Sequence, residues 1–551
     1  LSDFPLTEPK PLPKKPPTRT PRPARGRDAD EAPLADILNS LDAETLARVR
    51  ETLRAEIGLL GDVEDDPLAL FGEFLGRVEE AEPPRLEDEE LFEEVVASLT
   101  ETAIEANGGE ARARELRTAI YEKLDEALAA QRLDAAGLVL VAKVLNDSGW
   151  SVPDRLKVRV VELLESGDAA APGTSVGDLK SALADIAEAA EGDAFASYDA
   201  LNSVLAAFPS EAAARMVATL GAERAPVLLH TLAGFAMHRD PALAIAAIEE
   251  LKRAARGERV ESVLVERLVR MRPWLPPDRQ TRLDEAIRAL RGNALAPVEL
   301  SRPQSARCFV MACDGSGAGG ALASLKAADG WRFVAAMTKP AGVEEVLSLE
   351  GLRKAEADAT VRGMRDSVLA AQTDVAGIGR YLQLALGENL ASLTPPPFKL
   401  VAFVENLGLG PLAPRCVPAA DLIEEMLEGL PETETDAEAV ARAHKAVLGS
   451  PLAQQWLEAG EPVERLLAPI RGAKARARAM LAAYLPERRA FWARNCALTA
   501  FVLQLDRKTY GALGRNLALV GRDIASGAPL EQIPLMREIA GLSVRAYEGR
   551  R

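Results

Sequence analysis

The stretch CDGSGAGG, residues 313–320, decides how the middle of this chain is read. Gly315, Gly317 and Gly320 fit G-x-G-x-x-G, the spacing with which a strand-to-helix turn wraps a pyrophosphate. That use needs a strand before the glycines, a crossover helix after them, and a parallel strand ending in an acidic residue about 20 residues on. The first strand is there, in ARCFVMAC (306–313). The helix is not: ALASLKAA (321–328) is too short for a crossover. The next apolar run, WRFVAAMTKP (331–340), ends in Thr338 and Lys339 rather than a carboxylate. Asp-Gly pairs at 314–315 and 329–330 are hairpin signals instead. The segment is therefore predicted to be an antiparallel β-meander with strands over 306–312, 321–327 and 331–338. GLRKAEADATVRGMRDSVL (351–369) is predicted to pack as a helix on one face, giving a two-layer α+β element over 303–370. Asp314, Gly315, Ser316 and Gly317 stay candidate binding residues, because they set polar groups beside permissive backbone.

Around this element the chain reads as mainly α-helical. Of its 551 residues 48% are hydrophobic but only 4% aromatic, so the core is built from Ala, Leu and Val. That composition, rich in helix formers, leaves room for about three or four domains. A net charge of −17 disfavours non-specific binding of the whole molecule to nucleic acid or anionic membrane. No apolar run approaches the roughly 20 residues that span a bilayer. The four cysteines, Cys308, Cys313, Cys416 and Cys496, form no C-x-x-C pair, which predicts free thiols and a cytoplasmic location. The histidines His230, His238 and His444 lack metal-site spacing, so neither a metal nor a cofactor is expected. His230 is predicted to be buried and hydrogen-bonded, and His238 to sit at a helix C-terminus.

The chain divides by composition. Residues 1–29 are rich in Pro, Lys and Arg and predict a disordered or polyproline-II tail. Residues 30–166 carry amphipathic helices, including GLVLVAKVL (137–145), and GDAAAPGTSVGD (167–178) is a break. Over 178–297 helices recur about every 15–20 residues with brief Pro, Gly or Asp punctuation, so a helix pair spans about 35–40 residues. DPALAIAAIEELKRA (240–254) and PDRQTRLDEAIRALR (277–291) resemble the helices of HEAT-like repeats. The resemblance implies stacked helix pairs with a continuous core and a long groove that binds proteins or peptides. A closed helical bundle is the alternative. Residues 371–551 are predicted to be a helical C-terminal domain with a basic surface.

The charge changes sign late in the chain. Over 465–522 the cations include Arg465, Arg471, Lys474, Arg476, Arg478, Arg488, Arg489, Arg494 and Arg522, against only Glu487, Asp506 and, one residue on, Asp523. Arg471, Lys474 and Arg478 fall at i, i+3 and i+7, on one helical face, and Arg476 points elsewhere. With Arg488 and Arg489 they form the second set of candidate binding residues. The first expectation is that this face neutralises acidic helices of the same chain. Cys496 lies in an apolar helix and is predicted to be a buried structural thiol. The sequence as a whole points to a non-enzymatic scaffold or adaptor with a protein partner. A nucleic-acid-associated protein using the basic surface and tail ranks second, and an enzyme or nucleotide binder using the glycine loop third.

Overall fold

The computed structural model describes residues 66–80, 89–107, 111–166, 192–220, 225–257, 259–296, 303–327 and 330–549. The Pro-rich tail, the opening of the 30–166 region, the break with the helix expected after it, and Asp329 of the second Asp-Gly pair lie outside these residues. The N-terminal helices are α1 (Pro67–Glu80), α2 (Glu89–Asn107), α3 (Ala111–Ala129), α4 (Ala135–Asp147) and α5 (Asp154–Ser166). GLVLVAKVL is the buried centre of α4, whose N-terminus is capped by Asp134 accepting from the Gly137 amide at 2.7 Å.

The next six helices are α6 (Ala194–Leu205), α7 (Ser210–Leu220), α8 (Pro226–Ala236), α9 (Pro241–Ala254), α10 (Ser262–Met271) and α11 (Pro277–Arg291). Pro at the first turn of α8, α9 and α11 gives up an amide that would have no partner there. Each helix packs chiefly on the next or the next but one. The helices α2, α4, α6, α8 and α10 follow one another in a row, and α7, α9 and α11 stack beside it. The row continues through α14 (Lys399–Asn406) onto a β-sheet. A single apolar core runs with it, from Leu70 in α1 to Leu412 beyond α14.

The sheet has five antiparallel strands in the order β4-β3-β2-β1-β5. They are β1 (Ser305–Met311), β2 (Gly319–Lys326), β3 (Trp331–Lys339), β4 (Gly342–Leu352) and β5 (Ala370–Thr373). The first three form the expected meander, with Met311 opposite Gly320 and Lys326 opposite Trp331. Two strands were not anticipated, and the layering differs too. Phe309, Met311, Leu322 and Phe333 point to one face and pack with Ala357 and Val361 of α12 (Lys354–Ser367). Their alternates Cys308, Val310, Ala323 and Val334 point to the other, where they join Tyr381 and Leu382 of α13 (Val375–Ser392). The sheet is thus the middle of three layers rather than one of two. Its strands are apolar on both faces, as burial on both sides requires.

Strand β5 and α13 fall within the segment expected to belong to the C-terminal domain from residue 371. Asp374 caps α13 by accepting from the Gly377 amide at 2.7 Å. The helix is a shared wall, with Leu382 in the sheet's core and Leu384 in the next one. That next core is helical and comprises α15 (Ala419–Leu427), α16 (Ala437–Leu448), α17 (Pro451–Gln455), α18 (Glu461–Leu467), α19 (Ala473–Ala479), α20 (Arg489–Leu505), α21 (Arg507–Ala525) and α22 (Pro534–Gly549). RGAKARARAMLAAYL, which reads as one helix, changes to a π-helix at Met480–Tyr484. The fold is therefore mainly α, with a small antiparallel sheet and a helical C-terminal domain. Among the described residues no helix is long and apolar enough to cross a membrane.

Candidate functional site

The glycine loop lies where the sheet meets the C-terminal helices. Its shape is set by Asp314, whose Oδ1 accepts from the Ser316 amide at 2.8 Å, the Ser316 hydroxyl at 2.7 Å and the Ala318 amide at 2.9 Å. Both polar side chains of the loop are thereby spent on the loop itself, as in an Asx turn. Gly317 has φ +84°, and a Cβ there would stand 3.0 Å from both the Phe491 ring and Pro340. A Cβ on Gly315 would lie 2.9 Å from the carbonyl oxygen of Gln455 and 3.1 Å from the backbone of Leu457. The close approach that glycine permits here is therefore made by the chain's own backbone.

Side chains from the helical domain complete the junction. Trp456 Nε1 donates to the Cys313 carbonyl at 3.1 Å, and Asn495 Nδ2 to the Asp314 carbonyl at 2.8 Å. The Cys313 amide donates to Thr499 Oγ1 at 3.2 Å. Beside Trp456 lies Glu458, a buried carboxylate. Its Oε1 accepts from Arg488 Nε at 2.9 Å and Trp492 Nε1 at 2.8 Å, and its Oε2 from the Tyr484 hydroxyl at 3.2 Å. The π-helix ends at Tyr484, on this carboxylate, and such departures from α-geometry recur where a helix must place a particular side chain. Arg488 also lies 3.8 Å over the Phe491 ring that meets Gly317. Arg489 donates to the carbonyls of Ile524 at 2.8 Å and Ala528 at 2.6 Å.

The structure thus brings two of the predicted sets partly together. Asp314, Gly315, Ser316 and Gly317 share a junction with Arg488, and Arg489 pins the same helical core. Glu458, Tyr484, Trp456 and Trp492 belong to this site and were missed. The one signal in the sequence is an acid between apolar neighbours in QWLEAG (455–460). Chemically the junction is quiet. Burial pushes the Cys313 thiol up to about 12 and raises Cys496 as well, so both stay protonated at neutral pH. Burial first, and then Glu458, lifts the Tyr484 phenol to about 12. Among the described residues no group of three or more His, Cys, Asp or Glu side chains converges on a metal position.

Arg471, Lys474 and Arg478 are elsewhere. Lys474 and Arg478 lie on α19, but Arg471 precedes it across Gly472 at φ +84°, so the single helical face expected for the three is not formed. All three are exposed, and their side chains make no ion pair or hydrogen bond with any described residue. Their expected neutralisation within the chain does not occur among those residues. It does occur for their neighbours. Arg476 meets Glu548 at 2.6 Å and lies over Tyr547, Arg465 meets Glu461 at 2.5 Å, Arg494 pairs with Glu388, and Arg522 donates to the Thr435 carbonyl at 2.7 Å.

His230 is buried, with Nε2 3.0 Å from Glu261 and Nδ1 3.1 Å from Arg267 Nη1. An arginine only donates, so Nδ1 accepts and the proton sits on Nε2. His238 follows the end of α8.

Two family models match parts of the chain. Residues 209–293, from α7 through α11, match the Y4lR second domain, and residues 420–548, from α15 through α22, match the Y4lR C-terminal helical domain. The second match covers nearly all of the helical core that begins after the sheet. The sheet with its glycine loop lies between the two matched stretches. No curated protein and no solved structure matches the chain.

Proposed function

We propose that this chain is a non-enzymatic scaffold whose basic face on α19 docks an acidic segment of a protein partner. One observation carries the reading: Arg471, Lys474 and Arg478 stand exposed and unpaired on and just before α19, while Arg476, Arg488 and Arg494 pair with carboxylates of other elements. In a chain of net charge −17, Arg471, Lys474 and Arg478 set three uncompensated cations within eight residues of sequence. Complementary charge on a partner steers its approach and fixes its register. The row of helices from α2 to α10, with α7, α9 and α11 beside it, supports a HEAT-like stack as the frame that presents this face. The free cysteines support a cytoplasmic setting.

The test is a titration of the full chain with a synthetic Asp/Glu-rich peptide and, separately, with duplex DNA, over a range of salt. The expected result is peptide binding that the triple change R471E/K474E/R478E abolishes. Tighter binding to DNA, with log K falling against log salt at a slope of about −2.7 for three phosphates, would replace this reading with the nucleic-acid one. Peptide binding that survives the triple change would overturn the assignment of the face.

A further inference from the structure

A different region carries an inference that does not rest on the basic face. Where α4, α6 and α8 end, a cleft of about 480 Å³ opens between the N-terminal helices, the α8–α9 turn and Pro395–Pro397. That volume is in the range of small-molecule sites, about 300–1,000 Å³. Its polar lining is dominated by donors, among them Lys157, Tyr198, Asn202, His238 and Arg239.

Three of these donors have nothing to bind within the fold. The Tyr198 ring is fixed by Phe235 at 4.9 Å and Phe398 at 5.4 Å between centroids, yet its hydroxyl makes no hydrogen bond with any described residue. His238 Nδ1 accepts from the Asp240 amide at 3.0 Å, so the neutral ring carries its proton on Nε2, which has no partner among those residues. Burial keeps that ring neutral by pushing its pKa down to about 4. The Arg239 guanidinium is exposed and makes no ion pair with a described residue.

The turn that holds them is built rather than loose. Buried Arg279 donates to the carbonyl of His238 at 2.6 Å and to that of Arg239 at 3.3 Å. The carboxylate in the lining, Asp240, is committed to capping α9 through the Ala242 amide at 2.8 Å. Lys157 has its nearest acid, Asp154, at 3.9 Å. The cleft therefore offers fixed donors and positive charge, while the rings of Pro395–Pro397 give an apolar wall that cannot donate.

We propose that this cleft is a binding site for a small organic anion, its carboxylate or phosphate held by the Tyr198 hydroxyl, His238 Nε2–H and Arg239, and its apolar body against Pro395–Pro397. The ligand arrives with acceptor oxygens for donors that water otherwise serves, and charge-assisted bonds of this kind are the strong ones.

The experiment is calorimetric titration of the full chain with benzoate, with phenyl phosphate, and with uncharged benzamide as control. Binding of benzoate or phenyl phosphate is expected, and which of the two is tighter separates a carboxylate site from a phosphate site. Benzamide is expected not to bind. Arg239→Gln should weaken the anion about tenfold, and Tyr198→Phe, which keeps the ring and removes one donor, about three- to tenfold. Neither change should shift the melting temperature without ligand, since neither group is bonded within the fold. Absence of heat with either anion at millimolar concentration would overturn the proposal, as would equal binding by wild type and both variants.

Discussion

Arg488 and Arg478 stand in the same basic stretch, and their surroundings are opposite. Arg488 closes onto the buried carboxylate of Glu458 and covers an aromatic ring, while Arg478 faces solvent with no acid beside it. The junction uses charge as cement: Arg488, Trp492 and Tyr484 all donate to the Glu458 carboxylate, and Trp456 and Asn495 donate to the backbone of the glycine loop. The α19 face holds charge at the surface. A polar group inside a fold is costly to orphan, whereas a solvated one is nearly free to change. The two regions should therefore respond to mutation in opposite ways, in stability at the junction and in binding at the face.

The sharpest way to break this contrast is Glu458→Leu. It strands the Arg488 cation and the Trp492 N–H together, and should cost about 3 kcal/mol or more in urea unfolding. Adding Arg488→Met should recover part of that loss. A loss below about 1 kcal/mol would show that the junction is no better cemented than a surface pair.

Gly317→Val should cost about 1–3 kcal/mol, because the side chain meets Phe491 and Pro340 at a φ of +84°. Thermal scans of the wild type with common nucleotides sharpen the same point. A micromolar site filled at millimolar ligand would add about 4 kcal/mol, and no upward shift is expected. Smaller again is Asp314→Ala, at about 1–2 kcal/mol by chemical denaturation for the lost loop bonds. Asp314→Asn keeps an acceptor oxygen and should lose less.

The smallest effect belongs to R471E/K474E/R478E, which should change stability by no more than about 0.5 kcal/mol in the same assay. A loss of several kcal/mol would mean that the face is packed against the chain after all.

The legibility of these regions in sequence follows the range of the contacts that make them. The meander could be read because its turns are local: Asp314-Gly315 and the short Ala-Asp-Gly stretch announce hairpins whatever the rest of the chain does. Strand β4 was hidden by paired acids in GVEEVLSLEGL and by shifts of register opposite Phe333 and Thr338, which spoil simple alternation. Strand β5 has four residues and exists by pairing with β1, far back in the chain. The junction was the least visible part. Asp314 and Gly315 could be picked out, but nothing near them in sequence points to Trp456, Glu458 or Asn495. The basic stretch could be read as a stretch, not as two populations, since Arg478 and Arg488 differ only in what folds beside them.

The two margins of the sheet bear on whether copies of this chain would stick to one another. A bare outer strand is a template on which another chain can lengthen the sheet, and repetition of that step builds a fibre. On one side the outer strand is β5, too short to recruit much and covered by α20. On the other it is β4, which carries Glu344, Glu345 and Glu350, with Glu344 held by Lys339 at 2.6 Å and Glu350 by Arg332 at 3.1 Å. Two copies brought together along β4 would have to crowd these charged side chains and ion pairs into the joined edge, which disfavours such pairing. The acids that masked this strand from recognition thus also guard the protein against polymerising through it.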